Sequence, residues 1–227
     1  MKMTSETQAI LRGLYAISPE VADTARLVAQ VEECLAGGAR LVQYRAKNAG
    51  PALALEQARR LGAACRAAGA VLIVNDSVEL AIAANADGVH LGRDDADVET
   101  ARAALGGRII GVSCYDDPLR ALAARNSGAD YVAIGSVFQS ATKPHAARAS
   151  LENLTAAKRI SGLPLVAIGG INIDNASLAV EAGADMVAAI HAVFGAPDVR
   201  AAALSFTRLF ENPTRAGPHV RTQPRAV

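Results

Sequence analysis

The stretch Ala36–Arg45, AGGARLVQYR, joins a helix end through paired glycines to a short apolar run that ends in polar residues. The arrangement returns as AGAVLIVND from Ala68, ANADGVHLG from Ala84, SGADYVAIGS from Ser127 and AGADMVAAIH from Ala182. Glycine suits the left-handed turn that closes a helix. The run after it is nearly continuously apolar, which is typical of a parallel strand buried on both faces. The repeat therefore predicts alternating helices and parallel strands.

Extended along the chain, the pattern predicts eight strands, each followed by a helix, the last helix running from about Asp198 to Phe210. The predicted strands are Leu14–Ile17, Leu41–Tyr44, Val71–Val74, Gly88–Leu91, Ile109–Val112, Tyr131–Ile134, Leu165–Ile168 and Met186–Ile190. A (β/α)8 barrel takes about 250 residues, so we predict an α/β fold, a single compact TIM barrel, over residues 1–211. The alternative is an open doubly wound sheet, which is disfavoured because no G-x-G-x-x-G follows the first strand. Residues 212–227 lack periodicity and are predicted to form a disordered tail, the alternative being a tail bound to a partner.

Composition narrows the class of protein further. Hydrophobic residues make up 51% and charged residues 20% of the 227 residues, and the net charge of +1 leaves no basic excess for nucleic-acid binding. Three scattered cysteines are too few for a disulfide framework or a zinc site. No apolar run approaches the roughly 20 residues that span a bilayer, and the N-terminus does not resemble a signal peptide. We therefore expect a cytoplasmic protein with no nucleic-acid or membrane partner.

Polar residues concentrate after the predicted strands, where the active sites of such barrels lie. After the second strand, Gln43, Arg45 and Lys47 share one face, and Tyr44 and Ala46 take the other. If the polar face points inward, two cations and an amide converge at the barrel mouth, where a phosphate or pyrophosphate would satisfy them. The alternative is an exposed strand end with ordinary solvated charges.

Two aspartates follow neighbouring strands. Asp76 comes after the third strand and Asp95 after the fourth, and each could simply cap the next helix. If the carboxylates instead approach each other across the mouth, a cation between them would relieve their repulsion, and oxygen ligands beside a phosphate favour Mg²⁺. His90, at the end of the fourth strand, is expected to be a packed or hydrogen-bonded histidine.

The remaining strand ends carry further candidates. Ser113 could donate to a phosphate or cap a turn, and the hydroxyls and lysine of 140–143 suit an anion-binding lid or an ordinary surface loop. Gly169-Gly170 lets backbone N–H groups approach an anion, as loops after strands seven and eight often do. His191 could contact that anion or pack beneath the last loop.

The motifs QYRAK, the ND of IVNDS, HLGRDD, GVS, SATKP, AIGGI and GADMV occur in this order between about Leu14 and Phe210, and through them the chain resembles the thiamine phosphate synthase family. The resemblance implies a TIM barrel that joins hydroxymethylpyrimidine diphosphate to a thiazole phosphate and releases pyrophosphate. In this family pyrophosphate leaves first, so no protein nucleophile is needed. Leaving-group stabilisation by Mg²⁺ and by lysine and arginine then carries the reaction.

Carried over position by position, the resemblance also implies roles for single residues. Asp76 and Asp95 would bind Mg²⁺, and the catalytic residues would be Arg45, Lys47, Ser113 and Lys143. The pyrimidine diphosphate would be bound by Gln43, Arg45, Lys47, Asn75, Ser113 and Lys143, and further substrate-binding residues would be Tyr44, Ala46 and Ala141. The thiazole phosphate would be bound by Ser140, Thr142, Gly170, Ile190 and His191.

Departures from the family pattern keep alternatives open. Gln139 and Ser140 stand where proline and threonine are common, and His191 stands where serine is usual, so its role and the preferred thiazole are open. A thiazole tautomerase would not need the complete diphosphate and metal set. A Schiff-base aldolase would need a lysine at the end of an inner strand in apolar surroundings. A non-catalytic phosphate-binding barrel is the alternative from another class, and the sequence leaves homo-oligomerisation open.

Overall fold

The strands form a closed parallel barrel in the computed structural model, which describes residues 10–139 and 148–211. Each strand pairs with the next along the chain, and the last strand pairs with the first. The strands are β1 (Gly13–Ile17), β2 (Leu41–Tyr44), β3 (Val71–Asn75), β4 (Gly88–Leu91), β5 (Ile109–Tyr115), β6 (Tyr131–Ile134), β7 (Leu165–Ile168) and β8 (Met186–Ala189).

Helices connect the strands and surround the barrel. In the described residues they are α1 (Thr24–Ala36), α2 (Pro51–Ala67), α3 (Val78–Ala83), α4 (Val98–Leu105), α5 (Pro118–Asn126), α6 (Leu151–Ser161), α7 (Ala176–Glu181), α8 (His191–Phe194) and α9 (Val199–Glu211). A side-chain oxygen accepts a first-turn N–H in α1, α3, α4, α5 and α6, which satisfies a donor that has no partner within the helix. The capping residues are Asp23, Ser77, Asp97, Asp117 and Ser150.

Two apolar layers stabilise the fold, because successive strand residues face opposite sides of the sheet. The inner layer fills the barrel with bulky side chains such as Tyr15, Ile73 and Met186. The outer layer lies between the sheet and the helices and is rich in alanine, and it includes the buried thiols of Cys34 and Cys65. Small helix residues let the helices approach the sheet, so a chain with few aromatic residues still has a continuous core.

Aspartates join neighbouring strands at the amino end of the barrel. One stands immediately before each of β4, β6 and β8, and its Oδ2 accepts an N–H near the start of the preceding strand. The three aspartates are Asp87, Asp130 and Asp185, and their donors are Leu72, Ile110 and Leu165, each at 2.8 Å. Two of these carboxylates also form ion pairs. Asp130 pairs with Arg102 and Asp185 with Lys158, each at 2.6 Å. These carboxylates stabilise the face opposite the predicted active site.

The predicted TIM barrel is confirmed. β5 extends to Tyr115, past the predicted end at Val112, with a bulge in its register between Ser113 and Tyr115. β8 ends at Ala189, and Ile190 leads into α8 instead. Within 10–139 and 148–211, no helix is long and apolar enough to cross a membrane. The tail predicted over residues 212–227 lies outside the described residues.

Candidate active site

The carboxyl end of β2 carries the two predicted cations. Arg45 follows the strand and is partly buried, and its N–H donates to Ser18 Oγ at 3.0 Å. Ser18 is itself buried, and its N–H donates to the carbonyl of Gln43 at 2.8 Å. The loop after β1 thereby fixes the backbone from which Arg45 projects. Lys47 is exposed, and its Nζ lies 3.6 Å from Asp76 Oδ2.

Tyr44, the last residue of β2, takes the face opposite Gln43. The Tyr44 hydroxyl donates to Gln57 Oε1 at 2.8 Å, so this side chain points away from the barrel interior and towards α2. Between the ends of β2 and β3 lies a cavity of about 320 Å³. It is lined by Tyr44, Ala46, Lys47, Asn75, Asp76, Ser77 and Leu80. Because β2 ends at Tyr44, the predicted alternation does not continue to Lys47, and Lys47 lies with Tyr44, Ala46 and Asn75 on one cavity beside Asp76.

Neither predicted metal-binding aspartate caps a helix. Ser77, not Asp76, caps α3, and its Oγ accepts the Leu80 N–H at 3.1 Å. Asp97, not Asp95, caps α4. Asp95 Oδ2 instead accepts the Gly92 N–H at 2.6 Å within its own loop. Because the neighbouring residues do the capping, the carboxylates of Asp76 and Asp95 remain available at the barrel mouth.

Asp76 and Asp95 repel each other. Burial raises the pKa of the Asp76 carboxyl above its usual range, the nearby Asp95 carboxylate raises it further, and Lys47 and Arg45 only partly oppose the shift. Asp76 also has a φ of 66°, a left-handed conformation that is uncommon for a residue other than glycine. Strain and unfavourable charge at one residue are typical of a site organised for a ligand.

The pair fits a magnesium ion. Mg²⁺ is usually held by one or two carboxylates, with water and substrate phosphate oxygens completing its shell. Asp76 and Asp95 supply two carboxylates, and a divalent cation between them would remove the repulsion that raises the Asp76 pKa. Among the described residues no group of three or more His, Cys, Asp or Glu side chains could hold a metal without such completion.

A buried chain of hydrogen bonds crosses the barrel interior from β2 to β5. Gln43 Nε2 donates to the Tyr15 hydroxyl at 2.9 Å, and the Tyr15 and Tyr131 hydroxyls lie 2.7 Å apart. The Tyr131 hydroxyl lies 2.9 Å from His90 Nδ1, and His90 Nε2 lies 2.8 Å from Ser113 Oγ. We call these five residues the interior chain. It links two predicted substrate-binding residues, Gln43 and Ser113.

Burial keeps the interior chain uncharged. It lowers the pKa of His90 from 6.5 to about 4, an effect that Asp95 only partly opposes, so the ring is neutral near pH 7. It also raises the pKa of both Tyr15 and Tyr131. His90 is thus the hydrogen-bonded histidine that was expected. The roles of Tyr15 and Tyr131 were not predicted, although a phenol on the inward face of a buried strand needs a partner, which is a usable signal.

Gly111 makes room for the interior chain. A Cβ added at this position on β5 would lie 1.9 Å from Cζ of Tyr131. The tyrosine ring therefore occupies the space of the missing side chain and reaches across to His90, on which it stacks with a centroid distance of 5.5 Å. Sequence inspection assigned this glycine no role, because the reason lies on a neighbouring strand.

The glycine pair after β7 forms a tight turn against the loop that follows β6. Gly169 and Gly170 have φ of 100° and 63°, which only glycine adopts readily. A Cβ on Gly170 would lie 2.2 Å from the carbonyl oxygen of Gln139, and Asn175 Nδ2 donates to the Gly170 carbonyl at 2.9 Å. The turn is therefore held on both sides, with its backbone at the carboxyl end of the barrel.

The candidates after β8 are less enclosed. Ile190 is partly buried and precedes α8, and His191 is exposed at the first position of that helix. The His191 ring lies over Gly195, where an added Cβ would come within 2.5 Å of Nδ1. Pairing of Ile168 with Ala188 places the ends of β7 and β8 side by side. The predicted lid residues Ser140, Ala141, Thr142 and Lys143 lie outside the described residues.

A closed parallel barrel whose carboxyl end carries cations, paired carboxylates and a glycine turn defines a TIM-barrel enzyme with a site suited to phosphorylated ligands. Comparison with known families identifies the particular group. The family model described as thiamine monophosphate synthase matches residues 14–193, and the chain belongs to this family.

Individual relatives of the chain support the same family membership. The chain is 54% identical over 202 residues to the thiamine-phosphate synthase of Aromatoleum aromaticum, covering 88% of this chain and 97% of that protein. It is 52% identical over 199 residues to the thiamine-phosphate synthase of Thiobacillus denitrificans, with 87% and 94% covered. The solved thiamine phosphate pyrophosphorylase from Pyrococcus furiosus is 38% identical with a TM-score of 0.82, covering 90% of this chain and 98% of that one. The protein is accordingly an enzyme of the transferase class.

Proposed function

We propose that the enzyme joins hydroxymethylpyrimidine diphosphate to a thiazole phosphate, with release of pyrophosphate and formation of thiamine phosphate. Family membership supports the overall reaction. One structural observation supports the diphosphate and metal part of it. Asp76 and Asp95 lie close enough to repel each other, are spared from helix capping, and have Lys47 beside them.

The cations at the mouth would stabilise the leaving group. As the bond between the pyrimidine methylene carbon and the diphosphate oxygen breaks, negative charge grows on pyrophosphate, and fixed positive charges lower the energy of that state. Arg45 and Lys47 would supply such charges, and the Ser113 hydroxyl would donate a further hydrogen bond. The resulting pyrimidine cation would be attacked by the thiazole nitrogen, which the enzyme needs only to hold nearby.

Asp76 and Asp95 would hold Mg²⁺. The ion would neutralise charge on the diphosphate and help it to leave. Lys47 would then have a phosphate oxygen to bind as well as the Asp76 carboxylate. The glycine turn at Gly169 and Gly170 would offer backbone N–H groups to the thiazole phosphate.

The test of the reaction is direct. We expect purified protein with both phosphorylated precursors and Mg²⁺ to form thiamine phosphate, measured by fluorescence after oxidation. Chelation should stop turnover, and added Mg²⁺ should restore it. Binding of the diphosphate without product would refute the proposal and favour a non-catalytic phosphate-binding barrel. Conversion of the thiazole alone would favour a tautomerase.

A matched pair of variants tests the metal assignment. Asp95→Asn and Asp97→Asn make the same chemical change two positions apart, and asparagine caps a helix about as well as aspartate. We expect Asp95→Asn to lower kcat at least about 100-fold, since a divalent ion would lose a carboxylate. Asp97→Asn should stay within about twofold of the parent, because Asp97 only caps α4. Equal activity of the two variants would remove Asp95 from the metal site.

Asp76 is tested in the same way. Asp76→Asn keeps the left-handed backbone that asparagine tolerates, and it also removes a carboxylate that Asp95 repels. The metal-free variant should therefore be at least as stable as the parent while turnover is lost. A loss of turnover that accompanies unfolding would not support metal binding by Asp76.

A further inference from the structure

The interior chain has two possible directions, and its donors decide which one it takes. Each link joins two groups that share a single hydrogen, so one group donates and the other accepts. The two hydroxyls in the middle and the neutral ring can each do either. Gln43 cannot, because the atom that faces Tyr15 is Nε2, an amide nitrogen that only donates.

The direction follows link by link. Tyr15 accepts from Gln43, and among the described residues the Tyr131 hydroxyl, 2.7 Å away, is the acceptor left for the hydrogen of Tyr15. Tyr131 has then accepted one hydrogen and gives its own to His90 Nδ1 at 2.9 Å. The neutral ring carries its single hydrogen on Nε2, which donates to Ser113 Oγ at 2.8 Å. Every acceptor in the interior chain is thereby matched by one donor.

A charged ring would break this matching. Both nitrogens of His90 would then donate, and Tyr131 would accept from the ring. Whichever tyrosine donates across the Tyr15–Tyr131 link, the hydroxyl hydrogen of the other would have no acceptor among the described residues, and both side chains are buried. Hydrogen-bond matching and burial therefore both favour the neutral ring.

From this direction we infer that His90 is a positioning residue which, as the Nε2–H tautomer, fixes Ser113 as a hydrogen-bond donor towards the barrel mouth. Ser113 Oγ accepts from His90, so the serine hydrogen is left for another acceptor. Ser113 lies inward at the end of β5, partly exposed, where an oxygen of a phosphorylated substrate would be such an acceptor. The inference deepens the proposed function and rests on it for the identity of the substrate. The tautomer itself does not depend on it.

The middle of the interior chain is held by two tyrosines. Tyr15 and Tyr131 are buried in the barrel interior, with ring centroids 5.8 Å apart in an edge-to-face arrangement. Packing fixes both rings, and Gly111 leaves Tyr131 the space that it needs. A change at Tyr15 should therefore reach Ser113 through hydrogen direction alone, without a change in the volume of the core.

The tautomer is measured by NMR on the full chain without substrate or metal. In protein labelled with ¹⁵N-histidine, two-bond couplings from the ring protons distinguish protonated from unprotonated nitrogen, and loss of a signal in His90→Gln assigns the residue. We expect wild-type His90 at neutral pH to carry hydrogen on Nε2 and none on Nδ1. Hydrogen on Nδ1, on both nitrogens or in rapid exchange between them would overturn the inference.

A single substitution should reverse the direction. Gln43→Glu replaces the only obligatory donor by a carboxylate that accepts, so each link should turn round and His90 should carry its hydrogen on Nδ1. Gln43→Met, which neither donates nor accepts strongly, is the matched control and should leave the tautomer without a fixed preference. An unchanged Nε2–H form in Gln43→Glu, at a pH where ¹³C NMR shows the introduced carboxyl to be ionised, would show that Gln43 does not set the direction.

The effect on catalysis is tested by a double-mutant cycle between Tyr15→Phe and Ser113→Ala. A hydrogen bond to a charged group contributes about 1.5–3 kcal/mol, so Ser113→Ala should lower kcat/KM for the diphosphate about 10- to 100-fold. Tyr15→Phe should lower it by part of that factor and leave the thiazole KM unchanged. The double variant should equal Ser113→Ala within about twofold, because the tyrosine acts through the serine.

The NMR measurement and the double-mutant cycle distinguish failure of the inference from failure of the proposed function. Multiplication of the two single effects in the double variant would overturn the positioning role, since it would mean that Tyr15 acts independently of Ser113. An enzyme that forms no thiamine phosphate at all would contradict the proposed function. The NMR result would still decide whether His90 has the inferred tautomer.

Discussion

Acid should destabilise the folded enzyme through His90 in a measurable window. Burial lowers the pKa of this ring from 6.5 to about 4. Between these two values the unfolded chain binds a proton that the folded chain does not bind. The free energy of unfolding therefore rises with pH across the window, and its His90 contribution is lost as the pH falls from 6.5 towards 4.

The size of the effect follows from the same two values. The full shift corresponds to about 3 kcal/mol, since one pKa unit is worth about 1.4 kcal/mol. Only part of the window lies between pH 7 and pH 5, and there the linkage relation gives a loss of about 2 kcal/mol from this one histidine. A loss of this size is a large fraction of the stability of an ordinary domain.

The assay compares the parent with His90→Gln by urea unfolding at pH 7 and at pH 5, with a chelator present throughout. The variant will be less stable at both values, because it loses interior hydrogen bonds. The advantage of the parent over the variant should nevertheless shrink by about 2 kcal/mol in acid, since only the parent has the titrating ring. The exposed His191 is present in both proteins and cancels in the difference. A difference that stays constant or grows in acid would refute the reasoning, as would a measured His90 pKa near 6.5.

Two further substitutions test packing and strand joining. Gly111→Ala should lower the free energy of unfolding by at least about 2 kcal/mol, because the new Cβ would lie 1.9 Å from Tyr131 Cζ. Gly50→Ala, with nothing within 4 Å of the added Cβ, should cost less than about 1 kcal/mol, from the changed N-cap of α2, and equal effects in urea unfolding would contradict the packing argument. Asp130→Ala should cost about 2 kcal/mol, since it leaves a strand N–H and a guanidinium without their acceptor. Glu33→Ala removes one partner of an exposed ion pair and should cost less than about 1 kcal/mol, so a larger thermal shift there than in Asp130→Ala would reverse our ranking.

The fold was predictable because each of its units repeats one local pattern. A glycine or alanine break and an apolar run predict a parallel strand, and eight such units predict closure into a barrel. The candidate site was assigned to the carboxyl ends of the strands from the same topology, because active sites of such barrels lie there. Strand alternation also correctly separated Gln43, on the interior face, from Tyr44, which reaches α2.

Helix capping could not be assigned from the sequence. Asp76 and Ser77 are adjacent, and Asp95 and Asp97 are two positions apart, and all four side chains have an oxygen that can accept a first-turn N–H. Which residue caps each helix depends on the exact residue at which the helix begins, and local sequence does not determine that residue.

The interior chain was missed for a different reason. Its central link joins Tyr15 and Tyr131, which are 116 positions apart in sequence. Gln43, His90 and Ser113 stand at or near strand ends, and the sequence around each of them does not indicate which residue it contacts across the barrel. A contact of this kind arises only from barrel closure, which brings the first and sixth strands across the interior from each other.

The tyrosines of the core give the enzyme a built-in optical reporter. The chain has four tyrosines and no tryptophan, so its absorption and fluorescence above the weak phenylalanine bands come from phenol groups. Two of them, Tyr15 and Tyr131, belong to the interior chain, and phenol spectra respond to whether the hydroxyl donates or accepts. Substrate binding at Ser113 should therefore be visible without any label, as a change in signals that no indole obscures.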